Sequence, residues 1–258
     1  MCPMEERILQ TQIIYGPVDS RRLGRSLGVN ILPTERKVCS FDCIYCQYGF
    51  AARQYEPSDL KGLKLPGAED VAEALKDSLA TVGDLDAITL AGNGEPTLHP
   101  SFRQIAGTVS QLRDGCRPAV PVCILSNSST VSEDSVQAGL SFIDRKIMKL
   151  DAGTEDTFQK INRPRAGITL KKIVHGLARL ENVEIQSLFF SGPASNASPE
   201  EVRAWLEQLA LIKPVAVQVY TLDRVPADRR VEPLDRGKLE RIAAEARARL
   251  PEADVRVY

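Results

Sequence analysis

Short apolar runs alternate with amphipathic stretches along this chain, and each run ends in a polar or glycine-rich loop. Ile88-Thr89-Leu90-Ala91 reads as a buried strand that exits into Gly92-Asn93-Gly94-Glu95-Pro96, and Phe102 to Arg113 follows with helical spacing. The unit recurs. Strands are expected over Pro121 to Leu125, Phe142 to Leu150, Val183 to Phe190 and Val215 to Thr221. Helices are expected over Val131 to Gly139, Thr154 to Ile161, Leu170 to Leu180 and Pro199 to Ile212. Ser198-Pro199-Glu200-Glu201 carries an N-cap serine, a first-turn proline and early acids, and Thr154-Glu155-Asp156 repeats this without the proline. With Val29-Asn30-Ile31 and Asp70 to Thr81 in front, the count reaches about six alternations, which argues a mainly parallel sheet in an α/β fold.

Six units suit a partial (β/α)6 barrel better than a closed eight-unit one. Arg236 to Leu250 reads as a solvated terminal helix, followed by a short strand, Val255-Arg256-Val257. A chain of 258 residues can bury a sizeable core. We expect one domain over 1–258, with its core at about 24–225 and a helix-and-strand extension over 226–258.

Charge changes this picture little. The 33 basic and 34 acidic residues leave a net charge of -1, which argues against a generalised polyanion-binding surface. No apolar run approaches the roughly 20 residues that cross a bilayer, and the first residues lack a signal peptide's apolar segment. A cytoplasmic protein without a membrane partner is expected. Of six cysteines, Cys2, Cys116 and Cys123 are scattered, unlike a secreted disulfide framework, and the last two read as buried apolar thiols.

The other three change it greatly. Cys39, Cys43 and Cys46 form Cys-x3-Cys-x2-Cys within Val38-Cys39-Ser40-Phe41-Asp42-Cys43-Ile44-Tyr45-Cys46. Three thiolates fill three corners of a four-iron cluster and leave one iron open to a substrate or cofactor. Structural zinc needs four ligands, and neither His99 nor His175 lies near enough in sequence to look like a habitual fourth.

The triad, with an aromatic just before its last cysteine, resembles the cluster motif of the radical S-adenosylmethionine (radical SAM) enzymes. Gly92-Asn93-Gly94-Glu95-Pro96 is similar to that family's Gly-Gly-Glu-Pro segment, which takes the cofactor's ammonium group. Asn93 replaces the first of the paired glycines, and Asn tolerates left-handed backbone geometry better than most residues. Backbone carbonyls here, together with Glu95, supply the acceptors an ammonium requires. The resemblance places Tyr45 near the adenine. Ser126 and Asn127 end the next strand, as binders of ribose hydroxyls or the methionine carboxylate, or as a turn or helix cap. Lys149 and Asp151 alternate along the end of the following strand, where a polar residue commonly reaches the cofactor in this family; capping the next helix is the alternative for Asp151.

Resemblance to a compact subgroup, loosely related to wybutosine-type enzymes, extends over most of the chain. Those enzymes carry a second cluster on cysteines upstream of the triad, whereas only Cys2 precedes Cys39 here, so a single 4Fe-4S cluster is expected. The family implies reductive cleavage of S-adenosylmethionine to a 5'-deoxyadenosyl radical. That radical takes hydrogen from an unidentified small molecule, peptide or tRNA nucleotide. An external electron donor such as flavodoxin or ferredoxin is implied. Two other readings stay open: a glycyl-radical activating enzyme acting on a partner protein, and a noncatalytic iron-sulfur or zinc protein that binds RNA or protein. Arg21, Arg22 and Arg25 are candidates for an anion site or for surface salt bridges. Tyr220 and Leu222 would line an adenine wall or pack in the core, and His99 reads as a turn cap.

Overall fold

The computed structural model describes residues 9–258, so Cys2 lies outside the described residues. Ten strands and seven α-helices follow in the order β1 (Ile14–Ser20), β2 (Gly24–Val29), α1 (Ala68–Thr81), β3 (Ala87–Leu90), α2 (Phe102–Cys116), β4 (Val122–Ser126), α3 (Asp134–Leu140), β5 (Arg145–Lys149), α4 (Glu155–Asn162), α5 (Leu170–Leu177), β6 (Val183–Leu188), β7 (Phe190–Ser191), α6 (Pro199–Ile212), β8 (Ala216–Tyr220), β9 (Glu232–Pro233), α7 (Arg236–Arg249) and β10 (Asp254–Val257). Eight strands form one sheet in the order β1-β2-β3-β4-β5-β6-β8-β10. From β2 to β10 every pairing is parallel; β1 returns antiparallel on β2. The edge strands do not pair with each other among the described residues, so the barrel is partial, as expected from the six helical crossovers.

Local chemistry sets the helix limits. Ser198 accepts from Glu201 N at 3.2 Å to cap α6, and Thr154 accepts from Thr157 N at 3.3 Å to cap α4. Arg163 ends α4 in the left-handed region at φ 45°. The main apolar core runs from Ile14 to Val255, with Trp205 of α6 packed edge-on against Phe189. Burying such side chains contributes about 2 kcal/mol each.

Several boundaries differ from expectation. Asn30 and Ile31 lie past the end of β2. Phe142 and Ile143 continue the turn after α3 through bonds to Gly139 O and Leu140 O, so β5 begins only at Arg145. The apolar run over 183–190 breaks after Leu188, and Phe190 pairs instead with β9. The β1–β2 hairpin was not anticipated, because Gly16, Pro17, Asp19 and Ser20 have turn composition. The expected C-terminal extension is also more than an appendage: β10 pairs in register with β8 and continues the sheet. Cys116 is exposed rather than buried; Cys123 is buried.

Candidate active site

A parallel sheet gathers its functional loops at the strands' carboxyl ends. The loop after β2 carries the three cysteines and is held on several sides. Val38 bridges to Gly94, with Val38 N donating to Asn93 O at 2.8 Å and Glu95 N to Val38 O at 2.9 Å. On the other side, Ile44 N donates to Ile161 O and Asp42 N to Asn162 O, while Arg165 N donates to Ser40 O. Gly94 has φ +144°, and a Cβ there would lie 1.7 Å from Val38 O, so only glycine permits this approach.

All three cysteines line a single cavity of about 390 Å³, together with Tyr45, Gly92, Gly94, Glu95, Ser126, Asn127 and Lys149. Amide donors address the sulfurs: Asn127 Nδ2 lies 3.4 Å from Cys39 Sγ and Asn162 Nδ2 lies 3.6 Å from Cys43 Sγ. Burial pushes the Cys39 thiol up to about 12 and the Cys43 thiol to about 11. Lys37 donates to Gly49 O at 2.8 Å and contacts Cys46; burial works against its charge, but the three cysteines more than offset this and raise its pKa. Among the described residues, no three His, Cys, Asp or Glu side chains converge on one metal-ion position.

Glu95 is fully buried beside the cysteines and already has protein partners. It accepts from Thr97 N at 3.0 Å, Thr97 Oγ1 at 2.6 Å, Ser126 Oγ at 2.9 Å and Asn127 N at 2.5 Å. Burial raises its pKa, partly offset by these donors. Glu95 thereby ties the glycine-rich turn to the end of β4. Asn93 does not line the cavity and does not adopt positive φ; its side chain joins Gln10 and Pro33 through bonds of 2.7–2.9 Å. The left-handed conformation belongs to its neighbour.

Tyr45 turns its hydroxyl to Asp151 and packs its ring 5.6 Å from Phe190. Asp151 sits behind that ring, accepting also from Leu188 N at 2.8 Å and from Asn162 Nδ2 at 3.2 Å, with Lys149 Nζ 3.4 Å away. Lys149 lies 5.1 Å from the Tyr45 ring centroid and donates to Tyr220 Oη at 2.9 Å. Burial opposes its charge, yet Asp151 and Tyr220 raise its pKa overall. Tyr220 and Leu222 also line the cavity. His99 accepts from Ser101 N at 3.0 Å, the expected turn role, and burial lowers its pKa to about 4. Lys37 escaped the sequence reading, although its i, i+2 relation to Cys39 across the extended Val38 was a usable signal.

A parallel, unclosed sheet with a three-cysteine loop and cavity at its carboxyl edge defines a protein of the radical SAM fold. SuiB from Streptococcus suis, in a structure with S-adenosylmethionine bound, aligns over 90% of this chain and 50% of its own with a TM-score of 0.63 and 13% identity. TYW1, in a structure carrying a lysine-pyruvate adduct, aligns over 87% of this chain and 73% of its own with a TM-score of 0.58 and 14% identity. No family model matches the chain. A UPF0026 protein from Synechocystis sp. is 32% identical over 214 residues, 80% of this chain and 74% of that protein. The chain belongs to the UPF0026 family. A Brachyspira hyodysenteriae protein named GTPase Obg is 33% identical over 236 residues, 90% of this chain; the chain spans 33% of that relative's length. No helix of the described residues is long and apolar enough to cross a membrane.

Proposed function

We propose that this protein is a radical SAM enzyme in which Cys39, Cys43 and Cys46 hold one 4Fe-4S cluster and the cavity beside them receives S-adenosylmethionine. The observation that carries the reading is the donor set: three thiols on one cavity wall, with amide N–H groups addressed to two of the sulfurs. Three cysteine thiols suit a cluster, which spreads its ligands over separate irons, better than tetrahedral zinc, which needs four ligands on one ion. Held by Cys39, Cys43 and Cys46, such a cluster would supply one electron for cleavage of the C5'–S bond of S-adenosylmethionine to methionine and a 5'-deoxyadenosyl radical, which would take a hydrogen atom from the substrate.

The protein's own residues orient and enclose. Asn127 and Asn162 direct N–H groups at cysteine sulfurs and hold them in place. Lys37 supplies positive charge beside a centre whose three thiolates are negative, and it favours their deprotonated form when iron binds. Glu95 fixes the turn whose Gly92 and Gly94 line the cavity, where backbone acceptors would take the cofactor's ammonium, and Ser126 donates to Glu95 beside it. Tyr45 and Lys149 form the wall of the adenosyl side, with Asp151 holding both from behind. Similarity to SuiB, whose structure contains S-adenosylmethionine, supports this cofactor. The electron comes from an external donor of the flavodoxin or ferredoxin type.

Anaerobic reconstitution with iron and sulfide, followed by dithionite and S-adenosylmethionine, tests the reading. We expect 5'-deoxyadenosine, with none from Cys43→Ala. An intact cluster that yields no 5'-deoxyadenosine would refute it.

A further inference from the structure

The cavity does not stop at the cysteine loop. It continues along the half-barrel past Lys149 of β5 and Gln186 of β6, and the buried Gln218 of β8 stands beside Gln186 in register. Arg22, from the turn between β1 and β2, reaches across to them: Nη1 donates to Gln186 Oε1 at 2.7 Å and to Gln218 Oε1 at 3.4 Å. Its guanidinium carbon lies 4.6 Å from the Tyr220 ring centroid.

Both amides are fixed with their oxygens toward Arg22. Gln218 Nε2 donates to Glu184 at 3.1 Å, and Gln186 Nε2 donates to Ile147 O at 3.2 Å. Glu184 spends its charge elsewhere, in a bidentate pair with Arg145 at 2.7 and 2.8 Å. Three other cavity cations face negative groups: Arg21 pairs with Asp223, Lys149 with Asp151, and Lys37 faces the thiols. Among the described residues, Arg22 meets only neutral oxygens and an aromatic face, and its Nε and Nη2 donate to no protein acceptor. A half-buried cation held rigidly without a counter-charge is an arrangement that an anion completes. Of the three arginines near this turn, Arg22 alone occupies such a position; Arg25 does not line the cavity, and its backbone N binds Asp86.

Resting on the function proposed above, we propose that Arg22 anchors a carboxylate or phosphate of the substrate, which is a small organic anion. Position supports this. Lys149 lies between the Tyr45 and Tyr220 rings, 5.1 and 5.4 Å from their centroids, so Arg22 is linked to Tyr45 of the cysteine loop through Tyr220 and Lys149. A cavity of about 390 Å³ is in the range of small-molecule sites.

The test uses the reconstituted protein saturated with S-adenosylmethionine and left unreduced, so that the open iron is already taken. Inorganic phosphate and acetate are titrated separately by calorimetry into wild type, Arg22→Gln, Arg22→Lys and, as control, the exposed Arg21→Gln. We expect saturable binding of at least one anion, about tenfold or more weaker in Arg22→Gln and intermediate in Arg22→Lys, which keeps the charge but loses the planar fork. Arg21→Gln should bind as wild type. The tighter anion tells phosphate from carboxylate. No saturable binding, or equal affinity in Arg22→Gln with an unchanged melting temperature, overturns the anchor. Failure to assemble the cluster or to bind S-adenosylmethionine refutes instead the proposed function.

Discussion

The two ends of the cavity are built on opposite principles. At the cysteine end the polar side chains, Asn162 Oδ1 apart, are answered by other protein groups: Glu95 has four donors, Asp151 has Tyr45, Asn162, Lys149 and Leu188 N, and Asn127 spans Cys39, Ser40 and Ser129. At the lumen end, Arg22 keeps its charge uncompensated among neutral amides. A pre-bonded network suits a ligand that never varies, because nothing need reorganise when it arrives. An uncompensated charge suits a guest that brings its own counter-charge.

Removing a piece of the committed end should therefore be costly, and the costs can be ranked. Cys43→Ala has the largest effect: iron and sulfide analysis after reconstitution should show loss of stable cluster. Glu95→Ala comes next, since four donors lose their acceptor in a buried site. It should cost about 3 to 5 kcal/mol, read as a melting temperature lower by roughly 10 °C, and it should weaken S-adenosylmethionine binding while the cysteines still take iron. Unchanged stability in that variant would break the contrast between the two ends.

Third is a pH effect in the loop behind Glu95. Burial lowers the His99 pKa from 6.5 to about 4, so the unfolded chain binds this proton first as pH falls. Stability should be lost between about pH 6.5 and 4, on the order of 2 kcal/mol. Denaturant titrations across that range should show a smaller decline in His99→Gln; identical profiles would remove His99 as the cause. The smallest effect is electrostatic. Lys37→Met should assemble the cluster but lower its midpoint potential by on the order of 60 mV, a tenfold change in a one-electron equilibrium. Redox titration followed by electron paramagnetic resonance measures it.

The committed end was also the more legible from sequence. Cys39, Cys43, Cys46 and the Gly92–Glu95 turn announce themselves by local spacing, and apolar runs ending in polar loops revealed the crossover order. What local spacing cannot carry is side-chain direction. Asn93 lies within the recognised turn yet points to Gln10 and Pro33, away from the cavity. Arg22 belongs to a hairpin disguised by turn-forming residues, and its partners are 164 and 196 positions distant. The pairing of β10 with β8 is likewise non-local, so a strand read as an appendage proves to be part of the sheet.

Whether Cys39, Cys43 and Cys46 would hold a cluster that binds S-adenosylmethionine is decided by electron paramagnetic resonance of the reduced, reconstituted protein with and without S-adenosylmethionine. About four irons per chain are expected, with a spectrum that changes when S-adenosylmethionine is added. One zinc with no iron, or an iron-sulfur spectrum indifferent to S-adenosylmethionine, would contradict it.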